Sequence, residues 1–228
     1  SAEAIGAIAK SFPIYFVIIA VGVGIGAATN ACIGNLLGKK KFNKASLFIA
    51  QSVIFALVTS IIVTLFGFNA SEFLLSVMGS DPAGIALTRE YLDIIFLGTF
   101  IVMIQISLNG ALNAQGDTKS YRNVLIFSFF LNIFLNPLFI WGYGIVPAFG
   151  IAGLAIATVI SQSIGTIYLT YKIYSCQLKK YLSIRCFIPK FNLLKELFTQ
   201  ALPIMFSMLF IGVGIFNILY FIGQFGDL

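Results

Sequence analysis

Residues 128–141 read SFFLNIFLNPLFIW. Two amides, Asn132 and Asn136, sit four residues apart in a run otherwise fit for lipid, and Pro137 follows the second. That spacing puts both amides on one helix face. Pro137 has no N–H, so the carbonyl of Ile133 loses its helical partner and stands between two amide side chains. Amide and carbonyl oxygens are hard ligands, of the kind a small cation such as Na+ accepts. A proline also supplies a bending point, which makes Pro137 a hinge candidate. The competing account is packing, in which each amide bonds to a neighbouring helix for roughly 0.6–2 kcal/mol.

The elements that must position these groups are membrane helices. Hydrophobic residues make up 59% of the 228-residue chain and charged residues 10%. Mean hydropathy is +1.00. A soluble domain carries about 25% charge. Spans need about 20 apolar residues, and six segments qualify: 13–37, 45–68, 92–114, 124–146, 151–175 and 197–223. The stretch 69–90, with ASEFLLSVMG, reads as a short amphipathic interfacial piece. The fold class is an all-α membrane protein of about six transmembrane helices.

Charge sets the orientation. Loops 38–44, 115–122 and 172–195 carry Lys39, Lys40, Lys41, Lys44, Lys119, Arg122, Lys172, Lys179, Lys180, Arg185, Lys190 and Lys195. The other side has Lys10 and Arg89. The three basic loops are therefore expected in the cytoplasm and the chain in the plasma membrane as a multi-pass protein. The net charge of +6 reports that orientation and calls for no nucleic acid.

Enzyme signatures are missing: the sequence has no His, no paired carboxylates, no phosphate loop and no nucleophile elbow. Cys32, Cys176 and Cys186 form no CxxC pair, which argues against a disulfide framework or zinc site. No cofactor is expected. Other amides fall within spans: Asn30, Gln51, Gln105, Asn109, Gln162 and Asn217. With many aromatics they suit a cavity for amphipathic organic cations, for which Gln51, Gln105, Gln162 and Asn217 are the lining candidates. Plain interhelical hydrogen bonds are the alternative for each. Gly22, Gly26, Asn30, Gly34 and Gly38 recur every four residues, and Gly22, Gly26 and Gly34 are expected to let another helix approach closely.

The run from Gly110 to Gln162 resembles the multidrug and toxic compound extrusion (MATE) family, within the flippase-like transporter superfamily. AQGDTK (114–119), NIFLNPLFIWG (132–142) and PAFGIAGLAIATVISQ (147–162) carry the resemblance. GNLLGKKKFNKA (34–45) and LFTQALPIMFS (197–207) are similar to further family segments in the right order. The resemblance implies helices two to seven of a twelve-helix, two-lobe transporter, so helices one and eight to twelve are expected elsewhere. It implies that 1–175 is part of the N-terminal lobe, 176–196 the cytoplasmic inter-lobe loop and 197–228 the first helix of the C-terminal lobe.

It also implies a cation-coupling site at Asn132, Asn136 and Thr158, with Na+ or H+ as the coupling ion. Many members have Asp where this chain has Asn136. An amide does not exchange a proton near neutral pH, although its oxygen can still ligate Na+. The implied function is a secondary antiporter that exports small amphipathic organic compounds by alternating access of two lobes. Its partners are the lipid bilayer and the remaining helices of the full transporter. A lipid-linked oligosaccharide flippase ranks below it, because no Lys or Arg lies in mid-helix. An ion channel or pore subunit ranks lower still, for want of a filter loop or charged ring.

Overall fold

A computed structural model describes residues 2–78, 82–144 and 146–224. They form six α-helices: α1 (Ala2–Gly38), α2 (Phe42–Val77), α3 (Pro82–Asn113), α4 (Lys119–Trp141), α5 (Ile151–Ser175) and α6 (Phe191–Gln224). Two single 3-10 turns, Gln177–Tyr181 and Ile184–Phe187, lie between α5 and α6. All six helices contain a stretch long and apolar enough to cross a membrane. In hydrocarbon every backbone group must be satisfied within its own segment, which is why so apolar a chain becomes helix.

The interfacial piece expected at 69–90 does not form. α2 runs unbroken to Val77 and α3 starts at Pro82. Ser71 and Leu75 are buried on the inner face of α2 while Phe73 and Val77 stay exposed. The apolar residues read as an interfacial helix are thus the last turns of a long span. α6 likewise begins at Phe191, six residues before the expected 197.

In space the helices run α6, α1, α3, α5, α4, with α2 packed across α1 and α3. Small residues set the closest approaches. A Cβ added at Gly26 would lie 2.8 Å from Ile106 Cγ2, and one added at Gly110 would run into the carbonyl oxygen of Gly26. Gly34 departs from the expected stripe, since nothing lies within 4 Å of its Cβ position. Geometry explains the loss. A helix repeats every 3.6 residues, so a four-residue spacing rotates about 40° per step. Three steps from Gly22 carry Gly34 about 120° off the line that meets α3. Asn30, two steps along, is already exposed.

The three basic loops meet at one end of the bundle. Leu37, Phe42, Gln115, Asp117, Lys172 and Gln177 line a shared cavity of about 430 Å³ there. α1 ends with Lys40 in left-handed backbone, φ 56°. Lys41 N–H donates to Leu36 O and Lys40 N–H to Leu37 O, which closes the helix as a Schellman motif. At the opposite end Arg89 of α3 pairs with Glu72 of α2 at 3.0 Å.

Asp117 fastens the start of α4. It accepts from the Ser120 backbone N–H at 3.0 Å and from the Ser120 hydroxyl at 2.6 Å. The hydroxyl bond, with smaller help from the backbone and Lys172, holds the carboxyl below the usual carboxylate range. Its folded-state pKa is depressed, so its stabilisation is complete above the unfolded pKa of about 4 and is lost as pH falls through the folded value. Asp117→Ala is expected to cost about 1 kcal/mol, as lost caps do. Thermal unfolding in detergent at neutral pH reads the loss, and the gap to wild type should narrow on acidification.

Candidate functional site

α4 and α5 form an antiparallel hairpin joined by residues 142–150. Phe149 N–H donates to Phe139 O at 2.9 Å and Gly150 N–H to Ile140 O at 3.3 Å, which ties the loop back onto α4. A Cβ on Gly153 would lie 2.5 Å from Phe139 O, and one on Gly165 would lie 2.5 Å from Val124 Cγ1. These two contacts fix the register. Counting inward from them places Asn132 level with Thr158, and Ser128 level with Gln162.

Several polar groups along this seam carry acceptor oxygens that nothing else in the structure uses. Asn132 Nδ2 donates to Ser128 O at 2.8 Å. Thr158 Oγ1 donates to Leu154 O at 2.9 Å, leaving its lone pairs free. Asn132 Oδ1, Asn136 Oδ1, Gln162 Oε1 and Ser128 Oγ are all buried with no hydrogen-bond partner. Buried acceptors are normally paired, so a row of partnerless oxygens is a place for a donor or a cation. Pro137 lies inside α4, one residue beyond Asn136, and withholds an N–H from the Ile133 carbonyl. Asn132, Asn136 and Thr158 therefore share one seam. The sequence reading missed Ser128, although it stands one four-residue step before Asn132.

This donor set has a clear chemistry. Amide and hydroxyl oxygens with no carboxylate suit a hard, weakly charged cation such as Na+. None of them takes up a proton near neutral pH. Among the described residues no three His, Cys, Asp or Glu side chains cluster as a metal site.

Of the four expected cavity amides, Gln105 and Gln162 meet and Gln51 and Asn217 make their bonds elsewhere. Gln51 is fully buried on α2. Its Nε2 donates to Cys186 O at 2.7 Å and Ile188 O at 2.8 Å, and Lys190 N–H donates to its Oε1 at 2.8 Å. Its polar groups are committed to the segment before α6. Gln105 is also buried, and its Nε2 ties α3 to α5 through Gln162 O at 3.1 Å. Asn217 is exposed and bonds within its own helix to Val213 O. An apolar cavity of about 490 Å³ lies between α1, α2, α3 and α6, lined by Pro13, Phe16, Phe66, Phe96 and Val213 among others. None of the four amides lines it or the basic-end cavity.

Against known proteins, the MatE family profile matches residues 1–138, more than half of the chain. The chain belongs to the MATE family. The chain is 26% identical over 231 residues to a probable multidrug resistance protein of Bacillus subtilis, YoeA, covering 99% of this chain and 49% of that one. It is 28% identical over 159 residues to a FAD transporter of Shewanella oneidensis, covering 70% of this chain and 35% of that one. A MATE structure in the bent conformation superposes with a TM-score of 0.84 at 27% identity, covering 95% of this chain and 48% of that one. This MATE chain thus spans about half the length of those full relatives or less. Its six membrane-length helices and these likenesses make it a multi-pass membrane protein.

Proposed function

We propose that this chain is most of the N-terminal lobe, with the first helix of the second lobe, of a Na+-coupled antiporter that exports amphipathic organic compounds, often cationic. One observation carries the reading: the α4–α5 seam holds buried acceptor oxygens with no donors. Residues 1–175 belong to the first lobe, 176–196 to the connection and 197–228 to the second lobe. The basic loops face the cytoplasm and the protein sits in the plasma membrane. Asn132, Asn136 and Thr158 bind the cation; Pro137 frees a carbonyl beside them and gives α4 a place to bend.

Sodium is preferred over the proton because no group on the seam titrates near neutral pH. A ligand helps to move a two-state equilibrium only through its differential affinity for the two states. Filling the seam therefore favours whichever lobe arrangement brings the oxygens together. In vesicles containing the protein as the cell makes it, an imposed Na+ gradient is expected to stimulate efflux of a fluorescent organic cation at fixed proton gradient. Efflux indifferent to Na+ but abolished by a protonophore would sink Na+ coupling and point to a carboxylate elsewhere.

A further inference from the structure

We propose that Gln51 is a positioning residue that pins residues 178–190 to α2, so that this connection moves as part of the α1–α5 body rather than as a loose tether. The inference rests on the two-lobe reading only for its mechanical consequence.

The segment between α5 and α6 is basic and largely exposed, which on its face describes a free linker. The structure gives it successive anchors instead. Leu178 is buried in the core, and Ser46 of α2 donates to its carbonyl at 3.0 Å. Tyr181 stacks on Phe42 with ring centroids 6.1 Å apart and planes 13° apart. Then comes Gln51. Its two N–H groups hold the carbonyls of Cys186 and Ile188, and its oxygen takes the Lys190 N–H. The backbone is held on both sides of Pro189 by one side chain from another helix.

α6 starts at Phe191, and its first turn bonds back to Lys190 O through Leu193 N–H and Leu194 N–H. No slack separates the clamp from the helix. If α6 opens a second lobe, a swing of that lobe has to be taken up C-terminal to Lys190, inside α6. The side chain that makes this so lies 135–139 residues away from its partners in sequence.

The test uses the intact protein freed of Cys32, Cys176 and Cys186, with spin labels at exposed Lys119 and Ile184. Wild type is expected to give one narrow distance distribution. Gln51→Ala should broaden it, and trypsin should cut after Arg185 about tenfold faster or more, as local opening exposes the site. Gln51→Met keeps the volume and should fail in the same way. Should Gln51→Ala fail to fold, Lys190→Pro removes the linker's one donor to Gln51 and is read identically. A broad wild-type distribution, or variants as narrow and as protease-resistant as wild type, overturns the proposal. A second pair, Lys119 with Thr199, compared with and without Na+, reports whether α6 moves. Its failure weakens the two-lobe reading and leaves the clamp untouched.

Discussion

Asn136→Ala is expected to cut Na+-driven efflux by about tenfold or more while the protein accumulates in the membrane at close to its normal level. Truncating a buried polar group usually strands its partner, and the stranded partner carries much of the cost. Asn136 Oδ1 has no partner to strand. Its removal takes away a proposed ligand and breaks no hydrogen bond of that oxygen. Asn132 differs, because its Nδ2 holds the carbonyl of Ser128, so its loss should lower stability as well as transport. A tenfold loss corresponds to about 1.4 kcal/mol of cation binding or coupling. Vesicle efflux against an imposed Na+ gradient gives the first quantity and quantitative immunoblotting of membranes the second. Parallel losses in both would assign Asn136 to packing.

Gly110→Leu is expected to abolish folding, and Gly110→Ala to destabilise by about 1–3 kcal/mol through overpacking. The added Cβ meets the Gly26 carbonyl oxygen and comes within 3.1 Å of Thr29 Cβ. Backbone is the neighbour least able to yield, and α1 is held from its other side by α6, where Ala201 O lies 3.0 Å from a Cβ built on Gly24. Gly34→Ala is the matched control. It has open space around it, and alanine favours a helix over glycine by roughly 1 kcal/mol. Thermal melting of the detergent-solubilised protein, followed by size exclusion, should separate the two by their sign. A Gly110→Leu protein that melts like wild type would mean that α1 and α3 do not pack through this glycine.

The spans were legible because membrane helices announce themselves by length and apolarity. Their ends were less so. Hydropathy stops counting at the first polar residue, whereas α4 continues down to Lys119 and α6 down to Phe191. The amides at 132 and 136 could be found from spacing, and Ser128 by extending that spacing one step. The stripe at Gly22, Gly26 and Gly34 misled at its last member because contact follows 3.6 residues per turn, not four. Gln51 was the hardest. A buried amide in a span looks the same whether it faces a cavity or a distant loop, and only the folded chain brings Ile188 and Lys190 to it.

The unequal lengths of the helices have an electrical consequence. α2 has 36 residues and α4 has 23, so at 1.5 Å per residue they rise about 54 and 35 Å. The second figure is close to the hydrocarbon thickness of about 30 Å, so the α4–α5 edge is the thin side of the molecule. Asn136 lies five residues from the end of α4 at Trp141, roughly 8 Å deep. In the Na+-coupled cycle proposed above, a cation arriving from that end would cross only about a quarter of the membrane voltage before it met the oxygens. At about 2.3 kcal/mol per charge per 100 mV, that is about 0.5 kcal/mol. In that proposed cycle most of the voltage would remain to act on onward passage toward the basic end, so the membrane potential would drive release of the ion more than its capture.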